Sequence, residues 1–317
     1  MVSRLAAIPG LAILENAPLD RYTRFAVGGP ARILADASTE RALAEAIGII
    51  QETGEPHAVI GGGTNLVAPD GGFPGIVLRY TNAALDIGPG AVTVAAGAML
   101  QDLVDSTIAA GLRGLETMTG IPGWLGGAVY GNAGAYGHSL DERVVSVRYF
   151  DGVTAREIDR AACEFHYRES IFKRRKDWIV LSVALRLDPA DPPELRAIAD
   201  GILKTRNQKY PPSLRCAGSI FKNLLWDRLP PSVQAGVPQH LVRDGKVPSA
   251  FFLEQAGAKG LVNGGVRVAD YHANLIYNDG SGTALQIRDL IAGLKRRVRD
   301  QFGIELEEEV QFIPILL

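Results

Sequence analysis

Eight glycines fall between positions 114 and 137, in a passage that reads Gly114-Leu115-Glu116-Thr117-Met118-Thr119-Gly120-Ile121-Pro122-Gly123, then Trp124-Leu125-Gly126-Gly127-Ala128, then Gly131-Asn132-Ala133-Gly134-Ala135-Tyr136-Gly137. So little side-chain volume cannot fill an ordinary core, so either a rigid ligand or a second backbone must occupy the space. A planar ring with a pyrophosphate tail fits that requirement. Another run, Val59-Ile60-Gly61-Gly62-Gly63-Thr64-Asn65-Leu66, follows a short strand-like segment. Three glycines there let the chain turn sharply and aim several amide hydrogens into one concavity, which is how backbone binds phosphate without a cationic side chain. The run lacks both the G-x-G-x-x-G spacing of a dinucleotide fingerprint and the lysine of a P-loop. Taken alone, it also reads as a plain tight turn.

The chain has 317 residues, 47% hydrophobic and 21% charged, which excludes disorder as its main state and implies two or three packed units. A net charge of −2, with basic clusters only at Lys173-Arg174-Arg175-Lys176 and Lys295-Arg296-Arg297, reads as solvated faces, so nucleic acid is not expected as a partner. Two cysteines, Cys163 and Cys216, exclude a disulfide framework and leave a zinc site without ligands. No stretch approaches the ~20 apolar residues of a membrane span, and residues 1–14 carry no export signal, so a cytoplasmic protein is expected. Nothing in the sequence fixes an oligomeric state.

The first 187 residues mix both kinds of element. Ser38 is positioned to cap a helix with Leu43, Ala46, Ile47 and Ile50 on one face, and a second helix carries Leu100, Leu103, Val104 and Ile108. Strands are expected over 58–60, 75–79, 91–95, 143–150 and 179–187. The prolines of residues 188–193 mark a boundary, giving units at 1–188 and 189–317, the second opening with a helix over 194–208. The last helix carries Leu285, Ile287, Leu290, Ile291, Leu294, Val298 and Phe302 and stops at Gly303. In a final strand over 304–313, Ile304, Leu306, Val310 and Phe312 face a core. Glu305, Glu307, Glu309 and Gln311 face the other way, and Glu308 is the one charge on the apolar side.

Several long words resemble the UDP-N-acetylenolpyruvoylglucosamine reductase family. They are Tyr22-Thr23-Arg24-Phe25-Ala26-Val27-Gly28-Gly29-Pro30-Ala31, Gly61-Gly62-Gly63-Thr64-Asn65-Leu66, Gly120-Ile121-Pro122-Gly123 and Asn132-Ala133-Gly134-Ala135-Tyr136-Gly137. Tyr167-Arg168-Glu169-Ser170-Ile171-Phe172-Lys173, Ala217-Gly218-Ser219-Ile220-Phe221-Lys222-Asn223 and Leu306-Glu307-Glu308-Glu309-Val310 extend the resemblance to nearly the whole chain. It implies an α+β fold: an FAD-binding domain of the vanillyl-alcohol-oxidase (PCMH) type followed by an α+β substrate-binding domain. Non-covalent FAD is implied, held by Gly61, Gly62, Gly63, Thr64, Asn65, Thr119, Gly120, Pro122, Gly123, Asn132, Ala133 and Gly134. The reaction implied is NADPH-dependent reduction of UDP-N-acetylglucosamine enolpyruvate to UDP-N-acetylmuramate, a step of peptidoglycan precursor synthesis.

The chemistry accounts for the remaining residue types. Hydride delivered to the terminal vinyl carbon leaves negative charge on the adjacent carbon and its carboxylate, which a fixed guanidinium stabilises; Arg168 is the matching position. Ser219 matches the family's proton donor and Glu309 its catalytic carboxylate, although the strand pattern by itself allows Glu305 or Glu307 equally. Tyr167, Lys209, Lys222, Asn223, His272 and Asn274 match substrate-binding positions. The chain departs from the family at Tyr22, where Asn is frequent, at Cys216, and at Leu224, where proline is usual, and its 224–250 stretch is longer and richer in proline. Two other readings stand beside this one. A flavin oxidase of the same fold commonly tethers its cofactor through His or Cys, and neither occurs between residues 61 and 137. A non-enzymatic nucleotide-sugar binding protein would not require Arg168, Ser219 and Glu309 together.

Overall fold

In the computed structural model, which describes residues 1–313, the chain builds two sheets around one large core and a third sheet around a second. Strands Leu11–Pro18, Pro30–Ala37, Phe73–Tyr80 and His57–Val59 form the first sheet in that order, antiparallel across the first pair and parallel thereafter. Strands Ala155–Asp159, Val144–Phe150, Ile179–Arg186, Ala91–Ala95 and Leu85–Ile87 form an antiparallel second sheet. Helices Glu40–Thr53 and Leu100–Ala109 press Leu43, Ile47 and Ile50, and Leu103, Val104 and Ile108, into the core both sheets share. Those are the periodic apolar positions legible in the sequence, and together they bury enough apolar surface to fix the two sheets relative to each other.

The cap of the first of these helices is Thr39 rather than Ser38. Thr39 Oγ1 accepts from the Ala42 amide at 3.1 Å, while Ser38 donates to the Gly10 carbonyl at 2.9 Å. Both residue types can cap, and the tie to Gly10 decides between them.

Helix Pro192–Lys209 opens on two prolines that need no amide partner in a first turn. Its buried Leu195 and Ala199 lie in the first core. Just before it, Asp188–Pro189 pairs with Leu112–Arg113. Packing therefore sets this helix with the first core, although the prolines before it read as a boundary, because proline ends one element without dictating where the next one docks.

The second core gathers strands Val262–Asn263, Val266–Ala269 and His272–Asn278 with helices Ser249–Gln255 and Ala284–Phe302. Phe25, Val27 and Val67 enter it from the N-terminal part of the chain, and Asn278 donates to the Phe25 carbonyl at 2.8 Å. The long helix has a reciprocal cap between Thr283 and Gln286 and closes at Gly303, which adopts a left-handed φ of 68°. Its first amides, Ala284 and Leu285, donate to the Asp70 carboxylate at 2.7 and 2.9 Å, so a charge of the first unit anchors the positive end of a helix of the second. Leu285 is 61% exposed in that turn, off the stripe the spacing assigned to it.

The last segment is mostly not a strand. Only Gln311–Phe312 pairs, parallel to Leu66–Val67, and residues 304–310 run extended with single bonds to neighbours. The alternation still holds upstream of the pair, burying Ile304, Leu306 and Val310. Glu308, the charge on the apolar side, is neutralised by Lys295 at 2.8 Å. Residues 220–222 run alongside, the Lys222 amide donating to the Glu307 carbonyl at 2.9 Å and the Glu309 amide to the Ile220 carbonyl at 2.7 Å, a contact too short to make a ladder, so the alternation extends beyond the hydrogen bonds.

Candidate active site

The two glycine passages meet. Thr64 Oγ1 donates to the Pro122 carbonyl at 3.1 Å, and a side chain on Gly123 would stand 2.6 Å from that same oxygen. Gly62 lies against the Trp124 ring, and a Cβ on Gly63, whose φ is +67°, would fall 1.8 Å from the Tyr22 carbonyl oxygen. Beneath this junction Arg79 pairs with Asp36 and lies over the rings of Tyr22 and Trp124, 4.8 and 5.3 Å from their centroids. Close backbone approach thus explains part of the glycine content, and open space explains another part: a Cβ on Gly127 would meet nothing within 4 Å.

These passages line a cavity of about 1450 Å³, larger than the 300–1,000 Å³ usual for one small ligand. Gly61, Gly62, Gly63, Thr64, Asn65, Thr119, Gly120, Pro122, Gly123, Ala133 and Gly134 all line it. Among the described residues no amide of residues 61–65 donates to a protein acceptor, so five consecutive N–H groups remain for an anion. The Asn65 Oδ1 is also buried without a partner. Asn132 does not line the cavity. Its amide bonds Asp141 and the His166 carbonyl, both at 3.0 Å, because it fixes the turn that carries the neighbouring catalytic candidates.

Arg168, Ser219 and Glu309 come together on this cavity. Arg168 sits in a turn closed by reciprocal bonds between His166 and Glu169, with a left-handed φ of 59° that a side chain other than glycine adopts at a cost. Its Nε donates to Glu309 Oε1 at 2.6 Å and its Nη2 to the Gly134 carbonyl at 3.0 Å. Glu309 is held from both units: its amide donates to Ile220 at 2.7 Å and its carbonyl accepts from Asn65 Nδ2 at 2.9 Å. Among the three alternating carboxylates the structure therefore brings Glu309 to the cavity. Glu305 pairs with Arg299 and Glu307 with Lys222. Ser219 follows Gly218, whose added Cβ would meet nothing within 4 Å, and its Oγ lies 2.8 Å from the Tyr210 hydroxyl.

Of the substrate-binding candidates, Tyr167, Lys209 and Asn223 line the cavity, and Tyr167 Oη accepts from the Asn223 amide at 3.1 Å. Lys222, His272 and Asn274 do not. The buried Lys222 ammonium lies 2.6 Å from Glu169 and also bonds Glu307; burial opposes its charge, but the two carboxylates outweigh that and raise its pKa. Asn274 grips both the amide and the carbonyl of Phe221, each at 2.9 Å, so it sets the course of the serine-bearing segment instead of reaching a ligand. Burial, with Lys209 and Lys259 nearby, pulls the His272 pKa down to about 4, so its ring is neutral at neutral pH and offers no charge to a diphosphate.

Sequence reasoning missed Arg206, Tyr210, Tyr130, Lys176 and Trp178, all of which line the cavity. Arg206 stands one helical turn before Tyr210, with its Nε buried and unpartnered, and burial chiefly pulls its pKa below the usual value. The basic run at 173–176 splits. Arg174 and Arg175 pair with Glu164 and Asp177 at the surface, whereas Lys173 and Lys176 reach the cavity. Neither role has a periodic signal, because each depends on which wall the chain happens to face. Among the described residues there is no cluster of three or more potential metal ligands, both cysteines are unpaired, and no helix is long and apolar enough to cross a membrane.

The chain matches the family model of the UDP-N-acetylenolpyruvoylglucosamine reductase C-terminal domain over residues 210–313 and that of an FAD binding domain over residues 31–154. It is 56% identical over 310 residues to a UDP-N-acetylenolpyruvoylglucosamine reductase of Solibacter usitatus, covering 98% of this chain and 99% of that one. A reductase of the same name from Bacillus subtilis is 32% identical over 305 residues, with 95% and 94% covered. Among solved structures, the UDP-N-acetylenolpyruvylglucosamine reductase of Thermus caldophilus superposes with a TM-score of 0.75 at 27% identity, covering 96% of this chain and 99% of that chain.

Proposed function

The chain belongs to the UDP-N-acetylenolpyruvoylglucosamine reductase family, and from that premise we propose that it uses non-covalent FAD and NADPH to reduce UDP-N-acetylglucosamine enolpyruvate to UDP-N-acetylmuramate. It is an FAD oxidoreductase of peptidoglycan precursor synthesis. That role ties its activity to wall growth, and so to cell shape and division, and sets it in the cytoplasm where nucleotide sugars are made. The FAD-binding unit then extends to Lys209 and the substrate unit from Tyr210 onward, in keeping with the packing of helix Pro192–Lys209.

The observation that carries this reading is that one cavity has, on one side, backbone amides at residues 61–65 that are free among the described residues and, on the other, the Arg168–Glu309 pair with Ser219. The fit to FAD is chemical as well as spatial. The amides suit a pyrophosphate, and the unpartnered Asn65 Oδ1 is an acceptor for a ligand hydroxyl. Bound FAD supplies the hydride. Arg168 then faces negative charge growing on the substrate's α-carbon and carboxylate, and a guanidinium keeps its proton at any working pH. Glu309 and the Gly134 carbonyl already fix its plane, so little reorganisation is needed as charge develops. Ser219 Oγ gives its proton to the α-carbon. Lys209 and Asn223 hold the diphosphate of the nucleotide sugar.

The test is colour. Purified protein is expected to be yellow, to bleach with NADPH, and to recover anaerobically with the enolpyruvyl substrate. Ser219→Ala is expected to bleach normally and to recover about 10²-fold or more slowly. Recovery at the parent rate removes the proton-donor role, and a colourless protein that takes up no flavin removes the whole reading.

A further inference from the structure

A serine hydroxyl carries one proton, and its direction decides whether it reaches substrate. Ser219 Oγ lies 2.8 Å from Tyr210 Oη, and among the described residues that oxygen makes no other hydrogen bond. Tyr210 is the C-terminal cap of helix Pro192–Lys209, which is docked on the first core, whereas Ser219 bridges to Leu275 of strand His272–Asn278, and Tyr210 packs against the same small cluster as Leu275. The contact thus ties the start of the substrate unit, where the chain leaves that helix, to the segment that carries the serine.

The tyrosine ring is held on several sides. His272 meets it edge-on, with centroids 5.9 Å apart and planes at 68°. Lys209 Nζ lies 5.1 Å and Arg206 Cζ 5.8 Å from the ring centroid. Among the described residues Arg206 Nε is buried without a hydrogen-bond partner, whereas on the proposed reading Lys209 is taken up by the diphosphate once substrate is bound. Cys216, Leu214 and Tyr277 complete the small cluster that packs it. A residue this constrained has a fixed hydroxyl position, 2.8 Å from Ser219 Oγ.

We infer that Tyr210 is a positioning residue that acts through Ser219: it donates its phenolic proton to Ser219 Oγ, which turns the serine proton toward the substrate and replaces it as it leaves. This rests on the reading of Ser219 as the proton donor. The balance is complete. As the Oγ–H bond breaks, the C–H bond at the α-carbon forms; as the Oη–H bond breaks, a new Oγ–H bond forms. Tyr210 is left as a phenolate beside Arg206 and regains its proton from solvent after product departs. No oxidant or reductant is needed beyond the hydride already transferred. An unassisted serine would have to become a free alkoxide, whereas a phenol, with an ordinary pKa of about 10, gives up its proton far more readily than an aliphatic alcohol.

The experiment follows the two half-reactions of the flavin-loaded protein by stopped flow. Tyr210→Phe keeps the ring and its packing. It is expected to bleach with NADPH at the parent rate but to recolour with the enolpyruvyl substrate about 10- to 100-fold more slowly, with KM changed by less than about twofold. In mixtures of H2O and D2O the recolouring rate is expected to curve with isotope fraction in the parent, as two protons move, and to become linear in the variant. Tyr210→Gln retains a hydrogen-bond donor without an acidic proton and is expected to be as slow as the phenylalanine form. The relay is overturned if Tyr210→Phe recolours within twofold of the parent, if both half-reactions slow equally, or if Tyr210→Gln restores the rate. Ser219→Ala separates the two ideas: recolouring at the parent rate there removes the serine donor itself, whereas a slow Ser219→Ala beside a fast Tyr210→Phe removes only the relay.

Discussion

The two walls of the cavity are made of different materials. On the side of residues 61–65 the surface is backbone, with five amides unpaired among the described residues. Its shape is set by the approach of Gly63 to the Tyr22 carbonyl and of Gly123 to Thr64. On the opposite side the surface is charged and hydroxyl side chains, Arg168 on Glu309 and Ser219 on Tyr210, backed by the Glu169–Lys222–Glu307 group. A backbone wall depends on the absence of side chains and is indifferent to proton concentration. A side-chain wall tolerates added volume more easily but depends on which groups are ionised.

The hardest test of this contrast is Gly63→Ala. The added Cβ meets backbone at 1.8 Å in a left-handed conformation, and the Arg24 amide bonds the Gly63 carbonyl at 3.3 Å, so the facing segment is tied to the same residue. A loss of about 3 kcal/mol or more in urea unfolding is expected, together with loss of flavin uptake. Stability near the parent value breaks the account of the backbone wall.

The packing behind the side-chain wall, where His272 backs the Tyr210 ring, should answer to pH instead. His272 has a folded pKa of about 4 against an ordinary value near 6.5, so between those values the unfolded chain binds the extra proton. Its contribution is therefore complete above about pH 6.5, declines as pH falls toward 4, and changes no further below that. The expected loss is on the order of 2 kcal/mol, allowing for the ring's partial exposure. It is read as the difference in urea midpoint between the parent and His272→Gln across that range. Parallel curves for the two proteins remove the assignment.

The smallest effect sharpens the comparison most. Gly127 lies in helix Leu125–Tyr130 on the cavity side, where a Cβ meets nothing. Gly127→Ala is expected to stabilise the flavin-free protein by about 0.5–1 kcal/mol while weakening flavin binding, measured by equilibrium titration. A destabilised apoprotein means that the wall needs this glycine for its own fold and not for the ligand.

Much of this was legible in the sequence because glycine density and helical periodicity are local signals. The helix stripes and the stop at Gly303 have a meaning fixed by nearest neighbours, and the crowding at 114–137 announces missing side-chain volume whatever comes to fill it. What escaped depends on distant partners. Thr39 caps its helix because Ser38 is tied to Gly10. Asn132 stands inside a family word and Asn274 matches a family position, yet their amides are consumed by Asp141 and Phe221. Glu309 is singled out from Glu305 and Glu307 only by the partners each finds across the fold. Tyr210 carries no pattern at all, since its importance lies in an oxygen nine residues further along.

The clasp between Asn65 and the Glu309 carbonyl spans 244 residues of sequence. Chains emerge from the ribosome N-terminus first, so the amide-lined loop exists long before the carboxylate that steadies Arg168. During synthesis the nascent protein therefore has a place to hold a cofactor but no means of stabilising charge on a substrate. On the proposed reading its chemistry waits until the strand at Gln311–Phe312 zips beside Leu66–Val67, which makes the arrival of that strand the event that arms it.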